Sequence, residues 1–223
     1  MKNFLLFIFL SISVFSQDKK EIDSILFSES LAINHSEFER KSSLNFYRGN
    51  RKASERFFDS LVEQKLEGSI LDNFKVHGLN QKINFIYEFE KPMYLMSYAS
   101  WCVPSNGELE ALQILVEEHS DWMNFVLILW DKKEDAAKFA RQFPNKIKVL
   151  YVNELDNTGA RTIKIIKHKL GVPVSLTVSS NKIILNIRQN TQVHPSIEKE
   201  LATKKCYEDI AGDIALLQQY ESL

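Results

Sequence analysis

With 28 basic and 29 acidic side chains in 223 residues, the chain carries a formal net charge of −1, which leaves neither a basic field for nucleic acid nor an acidic tail. Hydrophobic residues make up 44% and fifteen positions are Phe, a composition that excludes a disordered chain and supplies a real core. Two cysteines are too few for a disulfide scaffold and point to one reactive thiol and one other.

The first stretch, Met1 to Ser16, has the pattern of a secretory signal peptide: Lys2, an apolar run from Phe4 to Val14, and the small residue Ser16. A run this short does not span a bilayer, and the alternative is a buried N-terminal helix. No cysteine follows Ser16-Gln17, so a lipid anchor is not indicated and the mature chain is expected in the periplasm or secreted. Residues 17–66 read as helical, with Ile22, Ile25 and Leu26 on one face. Phe57, Phe58, Leu61, Val62 and Leu66 mark a second helix, and Gly49-Asn50 breaks the run between them. They form an N-terminal extension outside the core fold that packs on the domain, dimerises or binds a protein partner; packing is the plain outcome for amphipathic helices.

Residues 67–223 form the second unit. Two weak strands, Asn73–His77 and Lys82–Tyr87, flank a turn near Gly78. Strands and helices then alternate. Met93–Tyr98 is a strand and Val103–His119 a helix with Pro104 in its first turn. Asn124–Trp130 is a strand, and the helix Glu134–Gln142 is stopped by Pro144. The strand Lys148–Val152 and the helix Thr158–Lys169 precede two strands, Val174–Val178 and Ile183–Arg188, joined by Ser179-Ser180-Asn181. A helix or helix pair from Ile197 to Tyr220 closes the chain. The order predicts an α/β sandwich with a mixed sheet.

The chemistry centres on Ala99-Ser100-Trp101-Cys102-Val103-Pro104-Ser105, with Glu108 one turn on. A cysteine where a strand meets a helix faces unsatisfied backbone donors, which lowers its pKa below the free value of about 8.5. The competing reading is a small buried hydrophobe. Ser105 stands one helical turn further, where a second thiol would break a mixed disulfide formed by the first. A hydroxyl cannot do that, but it can donate a hydrogen bond to the thiolate. Glu108 reads equally well as a solvent-facing helix residue. The five histidines are scattered and form no metal-ligand spacing with a cysteine. Lys164, Lys167, His168 and Lys169 make a basic helix face, read as solvated or as a docking surface for an acidic partner.

Ala-Ser-Trp-Cys-x-Pro, Glu108 and Gly171-Val172-Pro173 together resemble the TlpA/ResA-like branch of the thioredoxin family, over the stretch from Gly68 to the end. The family motif is Trp-Cys-x-Pro-Cys-x-x-Glu, so Ser105 replaces its second cysteine. The resemblance implies a thioredoxin-like α/β sandwich with a mixed central sheet, preceded by a β-hairpin. It implies a cis-proline at Pro173 lying against Cys102, and Glu108 near the active site influencing the thiol's titration. Met96 stands where thioredoxins keep a buried Asp as proton relay, and Met cannot shuttle protons. The last helix is expected on the sheet face away from the motif helix, so Cys206 reads first as an inert residue, ahead of a distant resolving thiol or a disulfide partner of Cys102.

The function expected on this resemblance is weak or partial thiol-disulfide exchange with protein thiols or disulfides of the cell envelope. Cys102 is then the nucleophile, Ser105 a hydrogen-bond donor, Glu108 a pKa modulator, Trp101 a shield, and Val172 and Pro173 the substrate platform. Neither a metal nor a cofactor is called for. The alternative is a non-catalytic thioredoxin-fold binding module for a cell-envelope partner. A peroxiredoxin reading is weaker, because no Pro-x-x-x-Thr-x-x-Cys setting is present.

Overall fold

The computed structural model describes residues 25–153, 160–189, 193, 194 and 196–223; the expected signal peptide, residues 1–16, lies outside them. Among the described residues, the strands β1 (His77–Gly78), β2 (Met93–Tyr98), β3 (Asn124–Leu129), β4 (Lys148–Tyr151), β5 (Val174–Val178) and β6 (Ile184–Gln189) form one sheet in the order β1-β4-β3-β2-β5-β6. β2, β3 and β4 run parallel, while β1, β5 and β6 each pair antiparallel. The helices are α1 (Phe27–Tyr47), α2 (Arg51–Leu61), α3 (Glu108–His119), α4 (Lys133–Ala140), α5 (Ala160–Lys169) and α6 (Lys199–Glu221). This is a thioredoxin-like α/β sandwich.

β2 is buried along its whole length because helices cover both faces of the sheet. Successive side chains alternate between the two layers: Met93 and Leu95 enter one core, Tyr94, Met96 and Tyr98 the other. The chain steps from β2 to β3 to β4 in one direction, and the crossovers put α3 and α4 on one face. The return to β5 carries α5 across the opposite face.

Three points bear on the sequence reading. The N-terminal helices pack on the domain, the plain outcome expected of them, and contribute to its core: Phe27, Leu31, Phe58, Leu61, Val62 and Leu66 pack with Leu95, Val126 and Ile128 on the α5 face. The break between them does fall at Gly49-Asn50, where Gly49 has φ +70° and Asn50 caps α2 by accepting from the Ala53 N–H. The stretch before β2 pairs back on itself through Val76 N–H to Asn84 O and Ile86 N–H to Phe74 O, yet its one regular strand, β1, extends the main sheet beside β4.

The third point is a correction: α6 packs beside α3 and not on the far face. Asp213, 2% exposed, accepts from Arg188 Nε and Nη2 at 2.8 Å each and from Asn186 Nδ2 at 2.7 Å, which fastens α6 to β6 on that side.

Candidate functional site

β2 and β5 pair with Ser97 opposite Val174, so the chain leaving β2 toward Cys102 and the chain entering β5 through Pro173 meet at one end of the sheet. The Val172–Pro173 peptide bond is cis. Val172 is half-buried and touches both cores, including the cluster that holds Cys102.

The loop from Ala99 to Gly107 is fastened at several points. The Cys102 N–H donates to Ala99 O at 2.9 Å. Ser100 donates from its N–H and its Oγ to the two carboxylate oxygens of Asp131, each at 2.7 Å. Trp130 Nε1 donates to Ser97 Oγ at 2.7 Å, tying the ends of β2 and β3 together.

The helix expected from Val103 begins at Glu108 instead, six residues after Cys102, with Gly107 in the left-handed region at φ +82°. Two consequences correct the sequence reading. Cys102 and Ser105 do not stand one helical turn apart, and Cys102 does not sit on a helix N-terminus. The thiol is 8% exposed within an apolar cluster that includes Tyr98, Ala99 and Leu112. Burial therefore pushes its pKa up, where the sequence suggested a lowered value; the backbone at Ala99 offsets this in part, and the charge of Asp131 adds to it.

Glu108 is not solvent-facing. It is 6% exposed and accepts from Tyr98 Oη at 2.5 Å and from the Ser105 N–H at 2.8 Å. The Ser105 carbonyl accepts in turn from the Glu108 N–H at 3.1 Å. Ser105 and Glu108 are thus brought together, but no hydrogen bond among the described residues joins the Ser105 hydroxyl to Cys102. Trp101 and Val103 flank Cys102 in the chain and are 73% and 85% exposed. Met96 is fully buried beneath the loop.

Cys206 lies on the α6 stripe that meets α3, with its Sγ 3.6 Å from Asn106 O. Both cysteines are free, and burial with the nearby Glu108 charge pushes the Cys206 thiol up to about 11. Tyr98, Asp131, Asn106 and Gly107 had escaped the sequence reading. For the last two a signal was present, since Asn-Gly is a strong turn dipeptide.

No family model matches the chain, and no curated protein matches it in sequence. Solved structures do align with it. A protein described as thiol:disulfide interchange protein DsbE from Chlorobium tepidum shares 20% identity over 68% of this chain and 97% of its own, with a TM-score of 0.49. The thioredoxin domain of a thiol-disulfide oxidoreductase from Bacteroides vulgatus shares 12% over 66% and 96%, also at 0.49. Peroxidoxin BcpB from Mycobacterium tuberculosis shares 16% over 69% and 96%, at 0.48.

Proposed function

We propose that this is an exported thioredoxin-fold protein that engages protein disulfides of the cell envelope through the single thiol of Cys102. The observation that carries the reading is the pairing of one thiol, at the end of β2, with the Val172–Pro173 segment entering β5 from the same end of the sheet. In the exchange, the Cys102 thiolate attacks one sulfur of the partner disulfide. A new S–S bond forms, the old one breaks, and the departing sulfur leaves as a thiolate that takes up the proton Cys102 lost. The Cys102 sulfur is oxidised to the disulfide level as the departing sulfur is reduced to a thiol, so no external oxidant or reductant is needed. Release of the partner needs a second thiolate, and Ser105 has none to offer, so the mixed disulfide persists and turnover is weak.

The test is intact-mass measurement after incubation with glutathione disulfide. One glutathione is expected on wild type and on Cys206→Ala, and none on Cys102→Ala. Because the thiol's pKa is raised, the rate should climb about tenfold per pH unit through neutrality and past the ordinary thiol range. A rate that levels off near neutral pH would refute the raised pKa.

The burial of Cys102 favours a second reading, a binding module without redox turnover that uses the outward-facing Trp101 and Val103. Absence of any adduct on wild type at alkaline pH would replace the first reading with this one.

A further inference from the structure

Gly171-Val172-Pro173 hangs from the end of α5, and that end is held by a residue near the start of the described chain. His35, on α1, places Nε2 2.6 Å from the carbonyl oxygen of Lys169, the last residue of α5. A carbonyl only accepts, so Nε2 carries the proton. The residue is 6% exposed, and its Nδ1 is buried with no hydrogen-bond partner. Only Leu170, itself buried, and Gly171 at φ +78° separate Lys169 from Val172. A shift at the Lys169 carbonyl therefore passes almost directly to Val172 and Pro173.

Two charges face the ring. Glu39, on α1 itself, has Oε2 3.5 Å from Nδ1 with its side chain in solvent; Lys169, from α5, brings its ammonium. The ring's aromatic neighbour is apolar: Phe38, also on α1, stands edge-on to the imidazole at 5.9 Å, and Phe58 of α2 packs edge-on behind Phe38.

We propose that His35 is a positioning residue for the Pro173 segment, holding it in place while neutral and loosening the α1–α5 seam when protonated. The physical reason is that charge on this ring must be accommodated away from water. Burial lowers its pKa most; the hydrogen bond to Lys169 O opposes that, the Lys169 charge lowers it further, and Glu39 raises it. A lowered pKa in the closed seam means that the neutral ring is the form the seam favours. Its contribution is complete above the ordinary histidine range near 6.5 and is lost as pH falls through that range toward the folded value.

Hydrogen exchange of the full chain between pH 7 and pH 5, corrected for intrinsic rates, tests this together with imidazole nitrogen spectra. In wild type, amides from Lys169 to Val174 should lose protection several-fold as pH falls, while β3 keeps its own. The ring should be the Nε2–H tautomer at neutral pH. His35→Gln, which can still donate to Lys169 O but does not titrate, should retain protection with no such pH dependence. His35→Phe, which keeps the burial and loses the donor, should be poorly protected at both ends of the range. His168 is present in every variant and cancels. Parallel loss of protection in wild type and His35→Gln would overturn the proposal. So would an Nδ1–H tautomer, or unchanged protection in wild type at pH 5, and these two need no variant to fold. Neither readout depends on the chemistry of Cys102.

Discussion

Around Cys102 the acidity of the thiol is set by burial, by the Ala99 backbone that opposes it and by the Asp131 carboxylate that adds to it, because the helix dipole fades within a turn and α3 begins six residues on. Asp131 holds the loop and opposes ionisation through the same two oxygens, since both accept from Ser100. Asp131→Asn separates the two roles. It removes the charge and keeps one acceptor, at a cost of about 0.5–1.5 kcal/mol for the weakened second bond. The alkylation midpoint of Cys102 should then move down relative to wild type; a midpoint that stays put or rises would show that the Asp131 charge is not felt at the sulfur. Neither Asp131 nor Tyr98 was legible as a site residue. Each lies in or just after a run that reads simply as a strand, and only the β2–β3 register and the packing of α3 bring them to Ser100 and Glu108. Met96, by contrast, was readable as a buried residue from its place in an apolar run.

Element boundaries were legible where prolines bracket apolar runs. Pro92 and Pro173 stand directly before β2 and β5, whose limits match the sequence reading, as expected for residues that start strands but do not continue them. The start of α3 was misread because Pro104 fits a helix N-terminus so well, although Asn106-Gly107 already marked a turn. What the sequence could not reveal is why that turn must be glycine. Gly107 has φ +82°, and a Cβ there would lie 2.3 Å from the Thr203 backbone nitrogen of α6. Gly107→Ala combines a left-handed backbone with overpacking against another helix, and should cost about 2–4 kcal/mol. Thermal melting should show the loss. An unchanged melting temperature would mean that α3 and α6 are not in such close contact, and the placement of Cys206 beside Asn106 would fall with it.

At the scale of the whole molecule, residues 25–66 behave as one layer of the sandwich. Phe27 and Leu31 of α1, Phe58 and Leu61 of α2, and Val62 and Leu66 of the π turn Val62–Leu66 fill the core above β2 and β3. Polar bonds lock the same layer: Ser28 donates from N–H and Oγ to Asp72 at 2.8 and 2.7 Å, and Ser30 Oγ donates to Lys65 O at 2.5 Å. The amphipathic pattern made the helices readable, but no pattern within them says whether the partner surface is this sheet, a second copy or another protein. The sheet is the answer. Without that layer, Leu95, Val126 and Ile128, which are buried in one cluster with these six side chains, lose their cover and meet water, so a chain beginning at Glu67 should not hold its native fold. The expected outcome is retained far-ultraviolet but lost near-ultraviolet circular dichroism, with binding of a hydrophobic dye. A cooperative, native-like melt of that shortened chain would show instead that residues 67–223 stand alone and that α1 and α2 are a dispensable cover.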